Sequence, residues 1–296
     1  MRVFETVIPP ELNGCTVEQV MRRGLQLSPT RIKRAKFVPD GIRLDGERVF
    51  SDHPVRQGQH LVVRLPDRTT VVLDQTLGAV DILYEDDWLL VINKPAGLPV
   101  HPGPGHYADT LGNRLSWFLA QRGEQLPFRP VNRLDKGTSG LMLAAKSAEA
   151  HEKLQGLLHT ESFIREYLAL TRRPPEPSSG QIDAPIGPVP GALNRYRVDQ
   201  AGKQALTDYE TLEQGPECAL LRLKLHTGRT HQIRVHLASL GCPLLGDTEY
   251  GGNPVLDRPA LHSWRVQLHH PFTGEWLQWT APLPEDFDCF DLGCDL

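Results

Sequence analysis

Residues 130–141 read Pro-Val-Asn-Arg-Leu-Asp-Lys-Gly-Thr-Ser-Gly-Leu, a run of ionisable groups and glycines between two apolar segments. The segment that follows, Leu141-Met142-Leu143-Ala144-Ala145-Lys146, is apolar and as short as a buried strand. The charged stretch is therefore held at the end of a strand, where a site can be built. In extended backbone Arg133 and Asp135 share one face and Leu134 takes the other. A carboxylate beside a guanidinium stays ionised when partly buried, so Asp135 is a candidate anionic nucleophile or base. An isolated Arg-Leu-Asp is more often a turn aspartate that caps backbone amides ahead of Gly137 and Gly140. Its company elsewhere in the chain decides between the two.

Around this stretch the chain alternates short strands with capped helices. Thr16-Val17-Glu18-Gln19 fits a capping box, and Val17, Val20, Met21 and Leu25 recur at helical spacing, which predicts a helix over 16–26. Ser28-Pro29 starts a second helix, which carries Arg31, Lys33, Arg34 and Lys36 around Ile32 and Ala35. Extended pieces split by Asp40-Gly41, Asp45-Gly46 and Gln57-Gly58 end in the alternating Leu61–Leu65. Residues 66–78 are polar and aperiodic, so a small α+β domain over 1–75 is expected ahead of a larger one over 76–296. Next come a hairpin about Glu85-Asp86-Asp87, a Pro/Gly-rich loop, and a helix starting at Asp109 or Thr110. Gly103 to Ala108 meets the GxGxxA dinucleotide pattern, which is rejected because Pro104 stiffens it.

Further on, Ser147 caps a helix to Leu158, and Ser162–Leu170 alternates as a strand. Ile164, Leu168 and Leu170 share one of its faces, leaving Phe163, Arg165 and Tyr167 on the less aliphatic side. Residues 174–191, rich in Pro, Gly and Ser, read as an exposed loop. Strands over 204–212 and 218–226 lead to Thr227-Gly228-Arg229. Thr230 is expected to cap a helix over 231–240, which puts Arg229 at a helix N-terminus, a common anion site.

Composition narrows the chemistry. The 296 residues are 40% hydrophobic and 23% charged, an ordinary globular balance, with no long apolar run and no secretory core at the start. A cytoplasmic protein without a membrane partner is expected. Five scattered cysteines, never in a CxxC pair, suggest neither disulfides nor zinc. His226, His231 and His236 are evenly spaced, but five residues on a helix turn the side chain about 140° away from the same face. No P-loop and no GxSxG motif occurs. Chemistry therefore falls to side chains such as Asp135, Tyr167 and the arginines, with no metal site suggested. Net charge is −4, yet five acids and no base lie between Pro284 and Leu296, so the rest sums to +1. Residues 22–36 hold six bases and no acid, a surface suited to phosphates.

Three motifs, Asn132–Leu141, Arg165–Leu170 and Gly228–His236, together resemble those of the RluA-type pseudouridine synthases, in family order. Asn93-Lys94-Pro95-Ala96-Gly97-Leu98, Gly246-Asp247 with Tyr250-Gly251-Gly252, and Leu261-His262-Ser263-Trp264 extend the likeness over 80–287. Asn132 and Gly137 stand where that family usually has His and Asp. The N-terminal order of two helices and hairpins resembles an RNA-binding module shared by a small-subunit ribosomal protein and bacterial tyrosyl-tRNA synthetases.

The resemblance implies an α+β fold: a mixed, mainly antiparallel sheet with flanking helices and a cleft, plus the small RNA-binding domain. It implies an isomerase that turns uridine into pseudouridine in structured RNA and needs no metal or organic cofactor; the N-terminal module points to ribosomal RNA ahead of transfer RNA, which stays open, and a monomer is expected. By the same resemblance Asp135 is the nucleophile, attacking the sugar or the base, or else abstracting a sugar proton; Arg229 pairs with it; and Tyr167 stacks on the extruded base. Arg133, His231, Gln232 and Arg234 would contact substrate at the cleft, and Arg31, Lys33 and Arg34 would hold RNA. Arg234 is the arginine to consider if Arg229 does not serve Asp135. The competing reading is a non-catalytic RNA-binding or ribosome-assembly protein that keeps the fold.

Overall fold

A computed structural model describes residues 2–27, 29–36, 38, 40–65, 73–103 and 105–287. Ser28, Pro104, residues 66–72 of the expected boundary, Asp288, Asp291, Asp295, Cys289 and Cys294 lie outside them. The chain divides into two compact units, 1–71 and 72–296.

The first unit runs β1 (Arg2–Val7), α1 (Val17–Arg23), α2 (Pro29–Lys36), β2 (Ile42–Leu44), β3 (Glu47–Arg48) and β4 (His60–Leu65). Its antiparallel sheet has the order β1-β4-β2-β3. Thr16 opens α1 through the expected capping box: its hydroxyl accepts from Gln19 N at 3.3 Å, and its own N–H donates to Gln19 Oε1 at 2.8 Å. Val17, Val20 and Met21 of α1 and Ile32 and Ala35 of α2 pack on Leu61 and Val63. This leaves Arg22, Arg23 and Lys33 exposed. Glu18 reaches Lys36 at 2.7 Å and Arg22 at 3.5 Å, so these bases are partly neutralised from just outside the basic stretch.

The second unit contains β5 (Asp81–Glu85), β6 (Leu89–Lys94), α3 (Leu111–Gln121), β7 (Ser139–Ala145), α4 (Ala148–Leu157), β8 (Phe163–Thr171), β9 (Ser179–Asp183), β10 (Ile186–Pro188), β11 (Tyr196–Val198), β12 (Leu206–Gln214), β13 (Ala219–Leu225), α5 (Gln232–Ser239), β14 (Leu261–His269) and β15 (Trp276–Thr280). Nine of the strands form one sheet in the order β5-β6-β7-β14-β8-β13-β12-β9, with β15 paired to β14. Every pairing is antiparallel except β7 with β14, so the expected mixed, mainly antiparallel sheet is the one found. On one face Leu111, Leu115 and Leu119 of α3 cover Leu90, Ile92 and Met142. On the other, Ala150 and Leu154 of α4 cover Leu89, Val91, Leu141 and Leu143. Cover on both faces is why β6 and β7 read as continuous apolar runs rather than alternating ones.

The expected helix starts at Thr110 and Ser147 are real: each hydroxyl accepts an amide three residues on, at 3.4 and 3.0 Å. Two expectations need correction. Residues 174–191 are not simply a loop, because β9 and β10 lie within them. β9 is a sheet edge whose partner, β12, is far along the chain, as in Ile182 opposite Thr207. Finally, α5 starts at Gln232 rather than after a Thr230 cap. Its N-cap is His231, with left-handed φ of 55°.

Candidate active site

The loop before β7 is pinned from below. His151 Nε2 donates to Pro130 O at 3.2 Å, and the Gln155 amide donates to Val131 O at 2.5 Å, both side chains reaching from α4. Asn132 Oδ1 accepts Leu143 N at 2.9 Å, and Thr138 N closes a turn on Asp135 O at 3.1 Å. Leu134 is buried in the core, which leaves Arg133 exposed and turns Asp135 into a cleft of about 350 Å³. Past the turn, Gly140 has φ of +100°, and a Cβ there would stand 2.2 Å from Ser263 O. Only glycine lets β14 lie this close alongside β7.

Lys94 ties the same loop from the side. Fully buried, its amine donates to Pro95 O at 2.8 Å, Leu98 O at 3.0 Å and Lys136 O at 3.3 Å, so the residue next to Asp135 is held to the end of β6. The family-like Asn-Lys-Pro-Ala-Gly run was the signal for it, but composition and spacing assigned it no role. Burial pushes its amine down to about 7, against the upward pull of Asp135. The unfolded chain therefore binds more protons than the folded one between that value and 10.5. In this window stability gains up to about 1.4 kcal/mol per pH unit from this group, and below it the cost is fully present. In chemical denaturation from pH 7 to 10, the difference between native protein and Lys94→Met is expected to slope in the native protein's favour as pH rises. Parallel curves would mean that Lys94 stays charged in the fold.

The opposite wall is the turn from β13 into α5. Gln232 was expected to contact substrate, yet it is 3% exposed and its amide is used inside the turn. Its Oε1 accepts Arg229 N at 2.9 Å and Thr227 Oγ1 at 2.8 Å, while its Nε2 donates to Leu206 O and Thr207 Oγ1. This capping by Gln232 displaces Thr230, and half-buried Arg229, although it lines the cleft, gives its Nε to Gln204 O at 2.8 Å. Among the described residues Arg229 makes no ion pair with Asp135, and that expectation is corrected. Arg234 takes the place: its Nη1 stands 4.0 Å from Asp135 Oδ2, and His231 Nε2 stands 3.9 Å from the same oxygen.

Arg234 is fixed in that position. Its Nε and Nη2 clamp the buried Asp247 at 2.7 and 2.8 Å, Nη2 also meets Glu249 at 2.7 Å, and its guanidinium lies 4.8 Å from the centre of the Tyr250 ring. Burial pushes its pKa down, but the Asp247 hydrogen bonds and charge, then Glu249 and Asp135, raise it on balance. Tyr167 forms the floor, paired in register with Leu223 and Ser263. Burial pushes its phenol up, against Arg165 and a Ser263 hydrogen bond, so at neutral pH it is a protonated donor. Beside it Arg165, 4% exposed, gives Nη2 to Leu158 O and has no carboxylate partner among the described residues. The other two histidines of the evenly spaced set are occupied elsewhere, His226 with Asp208 and His236 with Thr207 and Ala184 O. The cleft thus joins one carboxylate, one locked guanidinium, a neutral phenol and an imidazole, a set suited to nucleophilic or proton-transfer chemistry on an uncharged ring.

Comparison with known proteins agrees with the motifs. The family model described as RNA pseudouridylate synthase matches residues 88–239. Ribosomal large subunit pseudouridine synthase D of Pseudomonas aeruginosa is 39% identical over 95% of this chain and 92% of its own length. An uncharacterized RNA pseudouridine synthase of Bacillus subtilis, YlyB, is 38% identical over 87% of each chain. Among solved structures, human RNA pseudouridylate synthase domain containing 4 superposes with a TM-score of 0.57 at 30% identity, over 70% of this chain and 90% of that one. Among the described residues no helix is long and apolar enough to cross a membrane. The chain accordingly belongs to the RNA pseudouridylate synthase family, in its RluA-type branch, and is an isomerase.

Proposed function

We propose that this chain converts uridine to pseudouridine in ribosomal RNA, with Asp135 as the nucleophile. The observation that carries the reading is the Asp135 carboxylate itself, turned into the cleft and faced by Arg234 at 4.0 Å and His231 at 3.9 Å. The reaction breaks the bond between sugar carbon and base nitrogen, turns the base and rejoins it through carbon, so a proton moves but mass does not change. Asp135 attacks the sugar or the ring, or takes a sugar proton; each route requires its anionic form. Tyr167, neutral and buried, supplies a flat wall on which the extruded base stacks. Exposed Arg133, on the same loop, fills the space the nucleotide leaves in the RNA. Arg234, in place of Arg229, supplies the cation beside the carboxylate.

Ribosomal RNA is favoured because several relatives, from Pseudomonas aeruginosa to Vibrio cholerae, carry the name ribosomal large subunit pseudouridine synthase D. Mapping pseudouridine in ribosomal and transfer RNA from cells with and without the gene tests this: a ribosomal position should revert to uridine. Loss of a transfer RNA position alone would replace the target. The first unit supplies RNA affinity through its exposed bases. Reversing Arg23 and Lys33 to Glu should lower the slope of log affinity against log salt by up to about 0.9 for each phosphate the variant no longer neutralises, leaving turnover at saturating RNA intact. An unchanged slope in filter binding across a salt series would mean this face is merely solvated.

A further inference from the structure

The Tyr250 hydroxyl lies between a backbone amide and a ring nitrogen. Tyr196 N donates to it at 3.0 Å, and His231 Nδ1 is 2.8 Å away. An amide N–H can only donate, so the hydroxyl's own proton is left for one acceptor. Among the described residues, Nδ1 of His231 is the acceptor within hydrogen-bond reach.

We propose that Tyr250 is a positioning residue whose hydroxyl, by donating to Nδ1, holds His231 as the neutral tautomer with its hydrogen on Nε2, facing Asp135. The opposite tautomer would aim a ring lone pair at the carboxylate and leave the hydroxyl proton without a protein acceptor among the described residues. At 3.9 Å the Nε2–H is too far for a full hydrogen bond to Asp135 Oδ2, yet it presents a donor to the carboxylate and to any substrate oxygen that enters between them. The backbone supports the same aim. His231 holds a left-handed φ of 55°, a conformation that costs a non-glycine residue and persists where the surroundings impose it. The Tyr196 ring meets the imidazole edge-on at 5.7 Å.

Protonation is the failure this arrangement prevents. An imidazolium opposite Asp135 would form an ion pair with the carboxylate and blunt it as a nucleophile or base. The charged groups around the ring pull in both directions: Asp135 from the 130–138 loop and Glu249 and Asp247 from the segment before Tyr250 favour the cation, whereas Arg234 of α5 opposes it. Burial is the larger influence and keeps the ring's pKa below its ordinary value. The only basic nitrogen of this tautomer is Nδ1, and the tyrosine occupies it. The proposal rests on Asp135 being the reacting carboxylate.

Tyr250→Phe deletes the donor and keeps the ring beneath Arg234. The expected result is an unchanged KM for RNA with the acidic limb of kcat moved to higher pH, native and variant converging on the alkaline plateau. Each unit by which the imidazole's pKa rises lowers the neutral fraction on that limb about tenfold. On a His231→Gln background, Tyr250→Phe should add no further pH shift, because the tyrosine acts through the imidazole. Nitrogen NMR of histidine-labelled full-length protein reads the tautomer without any turnover. The ring signal that disappears in His231→Gln should show a hydrogen on Nε2 alone in the native protein and a mixture in Tyr250→Phe. A loss equal at every pH, or a ring signal identical in native and variant, overturns the proposal and leaves Tyr250 a packing residue. If Asp135→Asn proves active, the functional reading fails, and the spectra still decide the tautomer.

Discussion

Replacing Asp135 with Asn should abolish pseudouridine formation, a loss of about 10³-fold or more of the kind seen when a nucleophile is removed, while RNA affinity stays within about threefold. Asparagine has the same shape, and the turn at this position is closed by the backbone carbonyl, not the side chain. The loop should therefore keep its form, and only the negative charge opposite Arg234 and His231 disappears. Single-turnover assays at saturating protein, with binding measured on the same RNA, separate the two effects. Residual turnover within tenfold of native would remove Asp135 from the role.

Arg234→Leu should be nearly as damaging, for two separable reasons. Asp247 is 1% exposed and takes two charge-assisted hydrogen bonds from Arg234, so the substitution strands a buried carboxylate, at a cost of about 3–5 kcal/mol. The folded fraction should also turn over about a hundredfold more slowly, since the cation facing Asp135 is gone. Arg234→Lys should recover part of the activity but less of the stability, because an ammonium cannot reproduce the two-pronged clamp on Asp247. Arg229→Leu, by contrast, should leave thermal stability nearly unchanged, since its side chain is only half-buried and, among the described residues, gives its Nε to one backbone carbonyl and forms no ion pair. Equal losses of stability and single-turnover rate in Arg229→Leu and Arg234→Leu would contradict the assignment of Arg234 as the partner of Asp135.

That exchange of arginines shows where the sequence stopped being legible. Features fixed within a few residues could be read: Thr16, Thr110 and Ser147 accept the amides that capping requires, and the apolar run after Ser139 is a strand buried on both faces. The pairing of Arg234 rather than Arg229 with Asp135 depends on Gln232, whose amide bridges Thr227, Arg229, Leu206 and Thr207. A glutamine at the start of a helix gives no local sign that it will cap the turn itself and force His231 into a left-handed backbone. β9 was missed for the same reason at larger scale. Its residues are polar and turn-prone, and its strand character comes from pairing with β12, where the chain returns after Ala205. Lys94 could be seen as part of a motif, but its three carbonyl partners come from two loops that only the β6–β7 pairing brings together.

The most direct test of the account is whether the native protein makes an isomer of uridine. Unmodified ribosomal RNA incubated with it, digested to nucleosides and separated by chromatography with mass detection, should yield a new nucleoside of the same mass as uridine, absent when Asp135→Asn protein is used instead. RNA returned with its uridines unaltered, or a product of different mass, would contradict it.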